Sequence, residues 1–175
     1  MQNTEYKIYS AQNNGFTLME VMAAIFIILI GLVGIMSLIG RSLYAGTLST
    51  SRLIAANLAQ EGIEVVKNIR DLNYGVNGWD DWYASVPSGT ITRSVQYNSP
   101  DFDLQSGSYL NFDSTSGLYS YDTTGTYIAS PFKREIILTK DPLSPNEIKV
   151  VSQVTWTERG VARSIVVEDR LWNWR

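Results

Sequence analysis

From Val21 to Ile39 the chain reads VMAAIFIILIGLVGIMSLI, a run in which Ser37 is the only polar side chain. With Phe16, Thr17, Leu18, Met19 and Glu20 in front it extends to 24 residues, ~36 Å as a helix and enough to cross a ~30 Å hydrocarbon core. A surface helix of a soluble protein keeps a polar face. This run has none, so it spans a membrane or lies buried among helices like itself.

The helical pattern continues past Ile39. No proline occurs between Arg41 and Arg70, and an apolar stripe passes through Ala55, Leu58, Ala59, Gly62, Val65, Val66 and Ile69 at spacings of three and four. Arg52, Gln60, Glu64 and Lys67 fall largely on other faces. Stop signals follow in Asp71 to Gly75 and in Asn77-Gly78. Residues 16–69 therefore predict one helix, ~80 Å long. Its first half (16–40) suits a bilayer, and its amphipathic half (41–70) needs one wet face and one face packed on a head domain.

The remaining residues, 71–175, divide by charge. Residues 71–130 hold seven acids against one base, Arg93, together with eleven of the chain's twenty aromatics among many Gly, Ser, Thr and Asn. That composition reads as short strands and long turns, with Ile91–Tyr97 the clearest strand. Residues 131–175 alternate better. Phe132–Lys140, Glu147–Thr157 and Val161–Trp172 predict an antiparallel meander, turning at Asp141-Pro142-Leu143-Ser144-Pro145 and at Glu158-Arg159-Gly160. Ile136, Leu138, Val150, Val154, Trp156, Ile165 and Val167 would face the helix. The fold class is α+β: a long N-terminal membrane-spanning helix packed on an antiparallel sheet.

Composition narrows function. The 175 residues include no Cys and no His, which excludes disulfides, thiol catalysis and the commonest metal and acid–base chemistry. The formal net charge is −3, against a nucleic-acid-coating role. The bases of the last 45 residues alternate with acids, as in Lys133-Arg134-Glu135 and Glu168-Asp169-Arg170, so nucleic acid ranks low as a partner.

The sharpest local feature is Gly15-Phe16-Thr17-Leu18-Met19-Glu20 in front of the apolar run. It closely resembles the class III signal of type IV pilins. The resemblance implies cleavage after Gly15 by a prepilin peptidase, which removes a leader of residues 1–15, and N-methylation of the new terminus at Phe16. It also implies that Glu20 pairs with the Phe16 amine of a neighbouring subunit during assembly. A carboxylate in an apolar helix costs ~2.5–3.5 kcal/mol at the bilayer centre and less near an end, so it persists where it finds a partner; a plain anchor whose Glu20 reaches the headgroups is the simpler alternative. The leader MQNTEYKIYSAQNNG carries one Lys and one Glu, less basic than is usual in the family, and leader inside with head outside is taken from the resemblance. The helix lacks the proline of many major pilins and shows Gly31, Gly34, Ser37 and Gly40 at every third position, a row that lets helices approach closely.

The stretch ILIGLVGIMSLI, followed by Ala55-Ala56-Asn57-Leu58-Ala59-Gln60-Glu61-Gly62-Ile63-Glu64, resembles V-type minor pilins and I-type minor pseudopilins of type II secretion, subunits of an initiating or tip complex. What the resemblance implies is a non-enzymatic structural subunit without cofactor. It would sit in the cytoplasmic membrane and then in a surface or periplasmic filament. Its partners would be the peptidase, other pilin or pseudopilin subunits and, indirectly, an assembly platform and ATPase; the chain has no phosphate loop of its own. A single-span adhesin that is neither processed nor polymerised stays open as the alternative.

Three further signals carry less. Asp101-Phe102-Asp103-Leu104-Gln105 looks like part of a calcium loop but lacks the glycine and the closing acid of an EF-hand. Asp80/Asp81 and Asp101/Asp103 read as turn formers rather than a glycosidase pair. Tyr74, Trp79, Trp82 and Tyr83 read as core before they read as a binding surface.

Overall fold

The structure, a computed structural model, describes residues 15–79, 89–102 and 107–173. It bears out the α+β reading: helix α1 (Leu18–Asn77) and strands β1 (Gly89–Arg93), β2 (Tyr109–Asp113), β3 (Tyr119–Ser120), β4 (Tyr127–Lys140), β5 (Glu147–Glu158) and β6 (Val161–Trp172), all in one six-stranded antiparallel sheet. The chain divides into two compact units, Met1–Gly46 and Thr47–Arg175, and α1 contributes to both. In the first unit every described residue is exposed except Tyr44, which is half-buried.

The second unit holds the core. The strand order is β3-β2-β4-β5-β6, and β1 joins β4 beside β2. The 14-residue β4 thus serves two partners along one edge: β2 pairs with Tyr127 to Lys133 and β1 with Ile136 to Lys140. The register breaks between Tyr109 and Asn111 opposite Ser130-Pro131-Phe132. Proline has no N–H to give a ladder and is tolerated at such a bulge. Ser130 Oγ donates to the Leu110 carbonyl at 2.5 Å, which uses one acceptor there.

The β5–β6 hairpin is unbroken from Glu158↔Val161 to Glu147↔Trp172. Its two-residue loop puts Arg159 at φ 50° and Gly160 at φ 80°, the left-handed pair of a type I′ turn, whose twist suits the strands. Glycine takes that conformation freely; for Arg159 it costs ~1–2 kcal/mol.

All seven residues of the expected helix stripe are buried, and Ile63 joins them. They meet the inward positions of the sheet in two clusters. Val66 and Ile69 pack with Ile136, Leu138, Ile148 and Val150. Ala55, Leu58 and Ala59 pack with Phe132, Val154 and Trp156, and Ile165 and Val167 are half-buried against them. At Gly62 the helix comes closest: a Cβ there would stand 2.5 Å from Ser152 Oγ and 2.9 Å from Ile136 Cδ1. Fully burying one aliphatic side chain is worth ~1.5–3 kcal/mol, so these two clusters dominate the stability of the unit.

Two sequence expectations need correction. The helix passes the predicted end at Ile69 and the stop signal at Asp71 to Gly75, and ends at Asn77. Asn73 Nδ2 donates to the Ile69 carbonyl at 2.8 Å, and a mid-helix glycine such as Gly75 costs only ~1 kcal/mol against alanine. The second signal holds, with Gly78 at φ +89° just past the end. The strand expected over Ile91–Tyr97 is β1, Gly89–Arg93. Past it, Gln96 and Ser99 close a turn through Ser99 N–H to Gln96 O (3.0 Å) and Gln96 N–H to Ser99 Oγ (2.9 Å). The turn leaves Val95 fully buried.

Among the described residues the largest fully buried side chain is charged. Arg134 follows Phe132 on the inward face of β4 and is 0% exposed. Its Nη1 donates to the Leu58 carbonyl at 3.0 Å and to Glu61 Oε1 at 2.9 Å, and its Nη2 to the Val95 carbonyl at 2.6 Å. Its own carbonyl accepts from Tyr121 Oη at 3.1 Å. One guanidinium therefore joins α1, β4 and the segment after β1. At the far end of the helix face, Lys67 Nζ lies 3.0 Å from Asp169 Oδ2 on β6; this hydrogen bond lowers the Asp169 pKa and raises that of Lys67.

Two outcomes are expected. Arg134→Ala strands the Glu61 carboxylate and the Leu58 and Val95 acceptors. It should destabilise the head by ~2–4 kcal/mol in denaturant unfolding of the detergent-solubilised chain, through the lost side-chain volume and the unpaired carbonyls, since Glu61 is a third exposed. Asp113 accepts from Ser116 Oγ (2.7 Å), the Thr115 N–H (2.9 Å) and Thr126 Oγ1 (2.8 Å), and these bonds, Ser116 first, lower its pKa from 3.8 to about 2. A depressed acid contributes above its unfolded pKa and loses the contribution as pH falls through the folded one. Amide-exchange protection of the segment 113–126 should therefore be constant above about 4 and fall away as pH approaches about 2, and Asp113→Asn should abolish that pH dependence.

Candidate processing and assembly site

The helix start is written in Thr17 and Glu20. The Glu20 N–H lies 3.3 Å from Thr17 Oγ1 and 3.1 Å from the Thr17 carbonyl, and Val21 N–H donates to the same carbonyl at 3.2 Å. Thr17 is thus the N-cap, and Glu20 is the third helical residue and the acid of the first turn. Threonine followed three positions later by glutamate is the sequence form of a capping box. That signal is visible in the sequence as Thr17-x-x-Glu20, and the sequence reading missed it. It gives Glu20 a local source of stability, because a carboxylate near a helix N-terminus gains ~0.3–1 kcal/mol from the aligned peptide dipoles.

Gly15, Phe16 and Thr17 lie outside the helix, which begins at Leu18. Gly15 has no atom within 4 Å of where a Cβ would stand, and the Phe16 ring is 80% exposed. The segment is therefore non-helical and open around the 15–16 bond, the form in which a peptide can be threaded through a protease site. Glu20, one turn further on, is also exposed.

The apolar part of α1 is open on every side. Ile25, Phe26, Ile30, Val33, Met36 and Leu38 are all more than half exposed. Gly31, Gly34 and Gly40 have nothing within 4 Å of a built Cβ, and Ser37 is exposed with them. With ~100° per residue, every third position shifts by ~60°, so the row winds about halfway round the helix between Gly31 and Gly40. It follows an i±3 ridge rather than a straight face. By length and composition the helix can cross a membrane.

Other sequence candidates fall elsewhere. Trp79 belongs to the core and its Nε1 donates to the Pro145 carbonyl at 3.3 Å. Tyr74 lies in α1. Asp80, Asp81, Trp82, Tyr83 and Asp103 to Gln105 lie outside the described residues. Among the described residues no cluster of three acids could hold a metal ion. Four of the bases in the last 45 residues are paired or buried: Lys133 with Glu135 at 2.9 Å, Lys149 with Glu168 at 2.8 Å, Arg170 with Glu147 at 2.6 Å, and Arg134 inside.

Comparison with known families decides what the 15–20 segment is. The family model for the prokaryotic N-terminal methylation motif matches residues 10–36. The chain carries the class III signal of type IV pilins. The motif spans the non-helical 15–17 segment, the Thr17–Glu20 cap and most of the apolar run, and it supports a type IV pilin-like protein that is a substrate of prepilin peptidase. It points to a structural family and to membrane anchoring through α1. No curated protein and no solved structure matches the chain.

Removal of the cap isolates its contribution. Thr17→Ala should fray the first turn by ~1 kcal/mol, seen as faster amide exchange at Glu20 and Val21 in micelles, while the head keeps its unfolding midpoint.

Proposed function

We propose that this chain is a minor pilin or minor pseudopilin, a structural subunit of a type IV pilus or type II secretion pseudopilus. Peptidase cleavage after Gly15 removes residues 1–15, and Phe16 becomes the N-methylated terminus. Residues 16–40 hold the subunit in the cytoplasmic membrane with the head outside, and later pack among the helices of other subunits. Residues 41–70 carry the head. Assembly platform and ATPase act on the subunit from without.

The observation that carries the reading is the open N-terminal segment. A methylation motif sits on a helix whose apolar side chains have no cover of their own. Both a bilayer and a bundle of like helices would supply that cover, and transfer from one to the other changes little in apolar burial. What changes is the environment of Glu20. In the bundle it pairs with the Phe16 amine of a neighbour, so that both charges are neutralised. The row Gly31, Gly34, Ser37 and Gly40 offers open backbone along which a neighbouring helix packs. The minor-subunit assignment rests on the resemblance of the stretches Ile28–Ile39 and Ala55–Glu64.

Intact-mass and N-terminal analysis after co-expression with a prepilin peptidase tests the reading directly. A mature chain beginning at N-methylated Phe16 is expected, and a chain still beginning at Met1 would overturn it in favour of an unprocessed anchor. Glu20→Ala should be cleaved normally yet recovered at less than a tenth of the wild-type amount in sheared filaments. Normal recovery would remove the charge pair from the mechanism.

A further inference from the structure

The start of α1 is set by one side chain. Thr17 lies outside the helix, and its Oγ1 and its carbonyl both meet the Glu20 N–H, at 3.3 and 3.1 Å; α1 begins at the next residue, Leu18. The bond proposed for cleavage, between Gly15 and Phe16, is therefore separated from the helix by Phe16 and Thr17 alone. A peptide bond wound into a helix is closed to a protease, and cleavage tracks the population in which the bond is free. A capping hydroxyl favours one helix start over its neighbours by satisfying an N–H that has no partner inside the helix. Without it the start at Leu18 loses that advantage. Asn14, itself a cap former, stands three residues upstream of Thr17, and a helix capped there would draw Gly15 and Phe16 into its first turn.

We infer that Thr17 is a positioning residue for the prepilin peptidase, acting through the helix start rather than through contact with the enzyme. The inference rests on the proposed cleavage after Gly15 and names what sets the geometry of that bond. Gly15 has no atom within 4 Å of a built Cβ, and Phe16 is 80% exposed. Among the described residues, then, no packing holds the scissile bond open, and the cap is the nearest structure that can. The hydrogen bond to Thr17 Oγ1 comes from a backbone N–H, which any residue but proline supplies at position 20. The positioning is therefore separate from the role proposed for the Glu20 carboxylate. Glu20→Ala keeps the cap and is cut, whereas a Thr17 variant without a cap is cut less well. A substrate of which only a fraction is competent binds more weakly by that fraction, with the chemical step unchanged. Loss of one cap lowers the fraction by roughly two- to fivefold.

Digestion of the full-length chain in membranes by a purified prepilin peptidase, with Thr17→Ser, Thr17→Asn, Thr17→Val and Thr17→Ala beside the wild type, tests the inference. Serine and asparagine cap a helix and differ from threonine in shape, whereas valine has the branched shape and does not cap. Thr17→Ser and Thr17→Asn should keep the wild-type KM. Thr17→Val and Thr17→Ala should raise it roughly two- to fivefold with kcat unchanged. Amide exchange at Glu20 and Val21 should rank the variants in the same order. The reverse order, with Thr17→Val cut like the wild type and Thr17→Ser and Thr17→Asn impaired, means that the enzyme reads the side chain itself and overturns the inference. A loss in kcat alone does the same, as does one KM across the series. Those outcomes leave the pilin reading standing. A wild-type chain that stays uncut and begins at Met1 removes that reading, and the positioning role with it.

Discussion

The head depends on where Arg134 puts its charge. An isolated guanidinium in a protein interior is too costly to keep, so burial demands acceptors, and Arg134 finds them for Nη1 and Nη2 though not for Nε. Here they come from two separate pieces of chain: the Leu58 carbonyl and Glu61 on α1, and the Val95 carbonyl beyond β1. That demand fixes the helix along the sheet. A slip of one turn, ~5.4 Å, would carry Leu58 and Glu61 away from the guanidinium and leave it unpaired. The same slip would bring Val66 or Leu58 to the place of Gly62, where a Cβ already meets Ser152 and Ile136 at under 3 Å. Charge and close approach thus forbid the neighbouring registers by independent means. Hydrophobic burial supplies most of the free energy, but apolar contact is non-directional and would tolerate a slip.

Arg134 also marks where sequence reading stops. The helix stripe from Ala55 to Ile69 and the strands β4 to β6 are legible because periods of 3.6 and 2 are repeated many times over. Lys133-Arg134-Glu135, by contrast, reads in the sequence as bases alternating with acids. The signal that places Arg134 inside is its parity with Phe132, Ile136 and Leu138, and a local charge pattern overrides it. The head's first half is less legible for a different reason. β1, β2 and β3 are five, five and two residues long, too short to show a period, and β1 ends where the Gln96–Ser99 turn drives Val95 inward. Helix length fails in the opposite sense, since Asp71 to Gly75 carries breakers that cost only about a kcal/mol each. Such a cost is outweighed by the core contacts of Ile69 and Trp79 on either side.

The segment at Gly15 to Glu20 was fully legible as a motif, and its physics only partly so. A motif reports which residues a peptidase meets. The structure adds that the bond after Gly15 is outside the helix and that Thr17 caps the first turn. The role proposed for Glu20 in assembly involves a second chain and so has no trace in one chain's contacts.

The energetics of Glu20 nevertheless limit that role. On insertion scales a carboxylate at mid-bilayer costs ~2.5–3.5 kcal/mol. At the third position of a capped helix it recovers ~0.3–1 kcal/mol from the dipole. The helix begins at Leu18, two residues after the proposed cleavage site, so Glu20 sits near one end of the span, where the cost is smaller. The remainder, at most ~1.5–3 kcal/mol by difference from the mid-bilayer cost, is small enough for a free subunit to rest in the membrane. It is also large enough that pairing with a neighbour's amine shifts the balance by about tenfold or more. On the proposed reading the carboxylate therefore serves neither anchoring nor fold. It makes the membrane a slightly worse home than the filament, while the apolar residues around it are indifferent between the two.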